Sequence, residues 1–334
     1  TYKEVKNLII IIFLIFSYPG FSQILPSMHG VHDKKGLGGG SGSGTRNFTN
    51  CSATGKNGPT QSNCNTAYAS TDLNGEVSVS NGIQSWIVPA NATYTIVAYG
   101  AQGGGPQGGL GAKISGQFIL SAGEVIKILV GQQGEKEDTY DRNASGGGGT
   151  FVTKSPHNDN NSILVIAGGG AGAFVDPGNQ NHHGQTGTSG ADGYIGTNGG
   201  TGGSSGGAAS NPSSCAVASA SGFFSNGFIG VCGTSGGVVA KSYTNGGVGG
   251  MSGWGECYST SGGFGGAGGA GRCWPTTYAC GGGGGYSGGG HMYQHNQNNI
   301  SNAWAGGGGS YNNGSNTSNT AGNNSGHGKV TITW

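Results

Sequence analysis

Short apolar runs separated by turn residues characterise the chain between residues 48 and 167. Runs rich in β-branched and aromatic residues, typical of strands, span residues 85–88, 93–99, 112–120, 125–130, 150–154 and 163–166. Within residues 94–99 both alternating faces carry apolar side chains, which favours a strand covered on both faces inside a sandwich. The pairs Asn74-Gly75 and Asn81-Gly82 predict hairpin turns. We therefore expect an antiparallel β-sandwich here.

The last six residues, 329–334, alternate between polar and apolar side chains again. They predict a strand that returns to the sandwich, so residues 168–328 would be an insertion within one domain that spans 48–334. Apolar residues at helical spacing over ten or more positions are almost absent beyond the N-terminus. The sequence therefore predicts an all-β fold with almost no α-helix in the mature chain.

Glycine dominates the inserted region. The chain holds 78 glycines, more than threefold the average usage, and many lie in stretches such as 199–207, 262–271, 281–290 and 306–309. One interpretation is a disordered low-complexity tail, because glycine loses the most entropy on ordering and buries no side chain. The other is a bundle of extended left-handed polyglycine helices, whose amides bond to carbonyls of adjacent helices. Aromatic residues between the glycine stretches favour the bundle, since disordered linkers lack them.

The N-terminal pattern is that of an exported protein. Residues 8–16 form an unbroken apolar run of nine, preceded by Lys3 and Lys6 and followed by a small-x-small triplet at 20–22. This predicts a signal peptide over residues 1–22, because a membrane-spanning helix needs about twenty apolar residues. Residues 23–47 are expected to form a flexible linker, given their Gly-Ser stretch. We expect a secreted chain, or one at the cell surface if it is part of a longer receptor.

Seven cysteines on an exported chain favour disulfide bonds. The close spacing of Cys51 and Cys64 makes them the most natural pair. The connectivity of the other five cannot be read from their spacing, and their odd number leaves one thiol free or paired with another chain. These five are Cys215, Cys232, Cys257, Cys273 and Cys280.

Nine Asn-x-Ser/Thr sequons lie in segments that look like loops, and on a secreted chain each is a candidate for glycosylation. A chain rich in Asn and Ser also generates such triplets by chance, so they support a secretory route only weakly. The candidate acceptors are Asn47, Asn50, Asn91, Asn143, Asn160, Asn299, Asn313, Asn316 and Asn323.

The sequence offers little that is typical of an enzyme or of a nucleic-acid-binding protein. Charged residues make up 8% of the chain and the formal net charge is +1, so no strong field attracts nucleic acid or an anionic membrane. Gly-x-Ser-x-Gly patterns around Ser205, Ser235 and Ser287 follow from composition, because no helix is predicted after any of them. We expect no catalytic residue and no cofactor.

Two histidine pairs and one acidic cluster are the candidates for a metal site. His291 and His295 are four residues apart but lie in a Gly/Asn-rich stretch, and His182 is adjacent to His183. Exposed loop histidines and a solvated acidic loop are the simpler interpretations, so we expect no metal site. The acidic cluster, which could bind calcium or a basic partner, consists of Glu135, Glu137, Asp138 and Asp141.

Glycine-containing motifs recur in a specific order along the chain. They are IKILVGQQGE at 126–135, GGGGTFV at 146–152, LVIAGGG at 164–170, GGFGG at 262–266, GGGGGYSGG at 281–289 and GHGKVTI at 326–332. Together they resemble the glycine-rich extracellular domain of the anaplastic lymphoma kinase and leukocyte tyrosine kinase receptors, including stand-alone secreted versions. The resemblance covers roughly residues 51–334. It implies a jelly-roll-like β-sandwich with an inserted bundle of polyglycine helices, and in the receptors this domain binds small secreted cytokines.

The leading functional hypothesis is therefore an extracellular recognition module that binds a protein ligand or a copy of itself. The chain has no kinase motifs, and the shared domain alone does not transfer a cytokine ligand to it. The alternative is an extracellular structural protein or adhesin, which self-assembles through an exposed sheet edge or binds surface glycans. Ice binding is a more distant candidate, and an enzyme is the last.

Overall fold

Strands dominate the computed structural model, which describes residues 43–135, 143–194, 197–207, 218–228, 237–252, 258–272, 278–294 and 303–334. The fold is all-β, as the sequence predicts. The strands are β1 (Thr45–Phe48), β2 (Val77–Ser80), β3 (Ile83–Ile87), β4 (Ala92–Tyr99), β5 (Gly111–Leu120), β6 (Val125–Leu129), β7 (Asn143–Ala144), β8 (Thr150–Lys154), β9 (Ile163–Ala167), β10 (Tyr258–Thr260), β11 (Ala270–Arg272), β12 (Tyr278–Cys280), β13 (Met292–Gln294), β14 (Tyr311–Asn312), β15 (Ser315–Asn324) and β16 (Lys329–Thr333).

Two antiparallel sheets form the sandwich. One has the strand order β1-β16-β4-β5-β15, and the other has the order β14-β9-β8-β6-β3-β2. The seven strands predicted from sequence are all present, with ends within two residues of the predicted ones. β16 is the predicted return strand, and it pairs with β1 on one side and β4 on the other. Two further sheets are small, with the strand orders β13-β12-β7 and β10-β11. Their strands lie in the glycine-rich region, except β7, which precedes it in the sequence.

The core of the sandwich is built from alternate residues of both sheets. Tyr94 and Ile96 of β4 are completely buried, and they meet Trp86 of β3 and Ile128 of β6 in one cluster. The Trp86 ring meets Tyr94 edge-on, with 6.5 Å between ring centroids. Burying each such side chain contributes roughly 1.5–3 kcal/mol, so this cluster is a major source of stability.

The outer face of the six-stranded sheet is also covered, by aromatic residues from the glycine-rich region. Tyr243 stacks on Phe151 of β8 with ring centroids 5.1 Å apart, and on Phe223 at 5.0 Å. All of β9 and the first four residues of β8 are buried as a result. The prediction that both faces of β4 are covered is wrong, because Thr95 and Val97 on its second face are partly exposed.

The glycine tracts bond to one another through their backbones. Gly169 donates to the carbonyl of Gly284 at 2.8 Å, Gly284 donates to Gly147 at 3.0 Å, and Gly308 donates to Gly169 at 2.9 Å. A Cβ on Gly168 or Gly308 would overlap a carbonyl oxygen of a neighbouring tract. The disordered-tail interpretation is therefore wrong for the described part of this region. The helical geometry of the individual tracts stays a prediction.

One α-helix, α1 (Gln61–Tyr68), lies among the described residues and was not predicted. Thr60 caps its N-terminus: its hydroxyl accepts from the Asn63 amide at 3.2 Å, and its own amide donates to Asn63 Oδ1 at 2.9 Å. The local signal was a capping residue followed by a polar residue three positions later. Eight residues of weak amphipathic character carry no helical periodicity long enough to recognise.

The two Asn-Gly pairs have different outcomes. Asn81 and Gly82 have φ angles of 50° and 79°, the left-handed pair that a two-residue hairpin requires, and they join β2 to β3. Asn74-Gly75 does not form a hairpin, because it joins α1 to β2 and no strand precedes it.

The predicted signal peptide and residues 23–42 of the predicted linker lie outside the described residues. β1 begins inside the predicted linker, at Thr45.

Candidate functional site

The disulfide predicted between Cys51 and Cys64 is present, and it ties the segment after β1 to α1. Cys280 is a free, completely buried thiol, and burial raises its pKa. Such a thiol is a poor nucleophile, since the thiolate is the reactive form. The remaining candidates, Cys215, Cys232, Cys257 and Cys273, lie outside the described residues.

The glycosylation candidates differ in exposure. Asn143 is completely buried, and a glycan on its side chain does not fit within this fold. Asn50 is partly buried, and its side chain donates to the Ala53 carbonyl. Asn299 lies outside the described residues. The exposed candidates are Asn47, Asn91, Asn160, Asn313, Asn316 and Asn323.

Two of the histidine candidates are buried, contrary to the expectation that they are exposed loop residues, and His183 is partly buried. His182 and His291 are 4% and 2% exposed, and burial lowers the pKa of each to about 4. The rings of His182 and His183 lie 4.0 Å apart, and His183 Nδ1 accepts from the Leu110 amide at 3.0 Å. His295 lies outside the described residues. Within the described ranges, no group of three or more His, Cys, Asp or Glu side chains could hold a metal ion.

The acidic cluster and the serines of the Gly-x-Ser-x-Gly patterns either make contacts within the fold or lie outside the described residues. Glu135 Oε2 accepts from the Ser261 amide at 2.8 Å, which fixes this carboxylate within the fold. Its neighbours in the acidic cluster, Glu137, Asp138 and Asp141, lie outside the described residues, as does Ser235. Ser287 is completely buried, and its hydroxyl accepts from the Gly203 amide at 3.1 Å. The Ser205 amide donates to the Ser225 hydroxyl oxygen at 3.0 Å.

A cleft of about 880 Å³ opens on the outer face of the six-stranded sheet, where the aromatic cover from the glycine-rich region ends. One wall is the β2–β3 hairpin together with residues 57–61. The opposite wall is residues 156–158 together with the turn at 243–246. Ser85 of β3 and Lys127 of β6 are paired in register and lie between these walls.

Hydrogen bonds through Thr153 join the two segments of the second wall, residues 156–158 and the turn at 243–246. The Thr153 hydroxyl lies 2.7 Å from the hydroxyl of Tyr243 and 3.0 Å from His157 Nδ1. Burial raises the pKa of Tyr243 to about 12, so the phenol keeps its proton at neutral pH. Burial, and then the nearby Lys127 ammonium, lower the pKa of His157. The loop after β8 is thereby attached to the glycine-rich region through neutral groups.

Two glycines close one end of the cleft over a buried ring. A Cβ on Gly58 would lie 2.6 Å from Phe264 Cζ, and a Cβ on Gly82 would lie 2.7 Å from the same atom. Phe264 is completely buried, and its amide donates to the Gly55 carbonyl at 2.8 Å. The glycine-rich region therefore shapes the cleft together with the sandwich.

No pattern in the sequence predicts this site. Lys127 lies inside a predicted strand and a family motif, neither of which marks it as a binding residue, and no motif contains His157. The lining comes from six separate segments, and no spacing along the chain marks them as neighbours.

Among the residues that the structure describes, no helix has the length and apolar character that crossing a bilayer requires.

Comparison with known proteins shows a relation to a receptor over part of the chain. No protein-family model matches the chain. A stretch of 96 residues, 26% of the chain, is 43% identical to leukocyte tyrosine kinase receptor of Mus musculus. The match covers 11% of that receptor's length, so it does not indicate a kinase domain in this chain. Over about a quarter of its length, the chain is thus related to a receptor of the family that its glycine motifs resemble.

Proposed function

We propose that the chain is an extracellular recognition module that presents a stiff surface to a protein partner. The observation that carries the proposal is the backbone bonding between glycine tracts such as those of Gly169 and Gly284. A surface that is already ordered loses little conformational entropy when it binds. The partial relation to a receptor supports an extracellular location and a partner that is a protein.

In this proposal the glycine tracts are polyglycine helices packed side by side. Bonds from one tract to the next, and glycines with no room for a Cβ, are the contacts that such a bundle requires. The chain has no catalytic role of its own, and the exposed sequons carry glycans after secretion. The buried Asn143 is not among those glycosylated positions.

The test is a binding screen with the purified chain against an array of extracellular proteins from the same source. We expect saturable binding to one protein, and loss of that binding when Gly283→Ala disturbs the glycine tracts. The control variant Gly187→Ala should keep it, because nothing lies within 4 Å of a Cβ at that position. The proposal fails if no protein binds, or if both variants bind as the unmodified chain does.

The second candidate function is a self-assembling structural protein or adhesin. The observation that favours it is β15, a ten-residue strand that pairs with β5 and has no second strand beside it among the described residues. Open strand edges can pair with another copy. Light scattering of the purified chain distinguishes the two functions, because growth into filaments would favour self-assembly and a stable monomer would contradict it.

A further inference from the structure

The cleft beside Lys127 has an unusual lining for a ligand site. Small-molecule pockets are lined mainly by apolar and aromatic side chains with a few polar groups. Here amides and hydroxyls prevail, including Asn57, Asn81, Asn158, Ser85 and Thr244. The two rings that border the cleft, Tyr243 and Phe264, are 4% and 0% exposed. A ligand rich in hydroxyl groups fits such a lining better than an apolar one.

Lys127 gives the cleft one positive charge, and no described residue pairs with it to neutralise that charge. None of the described lining residues is Asp or Glu, and the ion pair found among the described residues is Arg46–Asp72, elsewhere in the fold. His157 lies close enough to Lys127 for the ammonium to disfavour its protonation. An anionic group of the ligand would therefore gain a charge-assisted hydrogen bond here.

A protein segment is a poorer occupant of this cleft. Protein hot spots depend on aromatic or Arg anchors that fill desolvated pockets. The two aromatic rings that border the cleft are almost completely buried, so neither offers a face on which such an anchor could stack. Addition of a strand to the nearby β2 edge is blocked: Gln61 Nε2 donates to the Val77 carbonyl at 3.0 Å, and Gln61 Oε1 accepts from the Val79 amide at 2.7 Å.

We propose that this cleft binds an oligosaccharide that ends in an acidic sugar. Lys127 binds the sugar carboxylate, and the amides and hydroxyls of the two walls bind the sugar hydroxyls. The walls are held in place before binding: Asn81 and Gly82 form the tight hairpin turn, and the Asn57 carbonyl accepts from Gln132 Nε2 at 3.0 Å. This inference does not depend on the protein partner proposed above, since the two activities are measured with different probes.

The test compares two sugars that differ by one acidic residue. Sialyllactose and lactose are titrated at millimolar concentration into the full chain, and binding is followed by saturation-transfer NMR and calorimetry. We expect sialyllactose to bind and lactose to bind about tenfold more weakly, the effect of losing one charge-assisted bond. Trigalacturonate in a parallel titration shows whether the favoured acid is a sialic or a uronic acid, and binding of either supports the site.

The matched variants are Lys127→Gln and Lys113→Gln. Lys113 lies on the five-stranded sheet, 6.0 Å from the Tyr99 ring centroid, so its variant removes the same charge away from the cleft. Lys127→Gln should lower the affinity for the acidic sugar about tenfold and Lys113→Gln should not. Equal effects of the two variants, equal binding of lactose, or no binding of either acidic sugar would overturn the proposal. Tighter, Lys127-dependent binding of a triglutamate peptide would also overturn it, in favour of a peptide site.

Discussion

Single glycines decide whether neighbouring tracts can meet. A Cβ on Gly283 would overlap the carbonyl oxygen of Gly169, which belongs to another tract and is fixed by the amide of Gly308. Gly283→Ala must therefore displace backbone rather than a side chain. We expect it to lower the free energy of unfolding by about 1–3 kcal/mol, the usual cost of overpacking, as measured by chemical denaturation.

The matched control is Gly187→Ala, which lies in the same region with no atom within 4 Å of its added methyl group. It should leave the unfolding free energy unchanged within about 0.5 kcal/mol. Equal destabilisation by the two variants would mean that the glycine tracts do not depend on close backbone contact.

Burial of His291 makes the stability of the fold dependent on pH. Its pKa falls from 6.5 to about 4 in the folded chain, because burial disfavours the charged ring. Between pH 6.5 and 4 the unfolded chain therefore binds a proton that the folded chain does not, and stability is lost as pH falls. The loss from this residue is about 3 kcal/mol at most, at 1.36 kcal/mol per pKa unit.

Unfolding of the chain and of His291→Gln, followed at pH 7 and pH 4.5, measures this effect. The variant should lose less stability between the two pH values than the unmodified chain does. Identical losses would show that His291 is not held neutral by its burial. A residual loss in the variant is expected, since burial also lowers the pKa of His182 to about 4.

At the scale of elements, α1 protects the open edge of the six-stranded sheet. The Gln61 amide bonds to both Val77 and Val79, so it occupies the backbone groups that a further strand would use. Gln61→Ala should lower the free energy of unfolding by about 1–2 kcal/mol through the loss of these two bonds. It should also increase association of the chain, measured by light scattering.

Ser62→Ala serves as the comparison, because Ser62 is an exposed residue of the same helix. It should change neither stability nor association. If Gln61→Ala behaves like Ser62→Ala, the edge of β2 does not need the side chain that covers it.

At the scale of the whole molecule, Phe264 joins the glycine-rich region to the sandwich. Its ring lies in the cluster that contains Leu129 and Phe151, and its carbonyl accepts from the Gln132 amide at 2.8 Å. Phe264→Ala should cost about 3–5 kcal/mol. Hydrogen exchange followed by mass spectrometry should show faster exchange in the glycine tracts, with the strands of the five-stranded sheet still protected.

Phe224→Ala is the control for this prediction, since Phe224 belongs to the same region but is 39% exposed. It should leave the exchange of the glycine tracts unchanged. Uniformly faster exchange throughout the Phe264→Ala chain would indicate that the two parts unfold together and that the ring has no special role between them.

The sequence predicts the sandwich well and its edges poorly. β8 and β16 show clear alternation or β-branched runs, and both begin where predicted. β15 reads Ser-Asn-Thr-Ser-Asn-Thr-Ala-Gly-Asn-Asn, an exposed edge strand with no apolar pattern to recognise. Strands whose side chains are not buried leave little trace in the order of apolar residues, so hydrophobic periodicity cannot find them.

By itself the sequence determined the β-class of the fold and singled out Cys51 and Cys64 as a pair, because these follow from local pattern and spacing. It left open whether the glycine tracts are ordered, which the backbone bonds between tracts decided. Only the tertiary structure decided that Tyr243 and Phe264 cover a sheet face, that His291 is buried, and that Lys127 lies in a cleft whose described lining holds no carboxylate. Each of these depends on contacts between segments far apart in the chain. Such contacts are set by how the whole molecule packs, and the order of residues within one segment does not encode them.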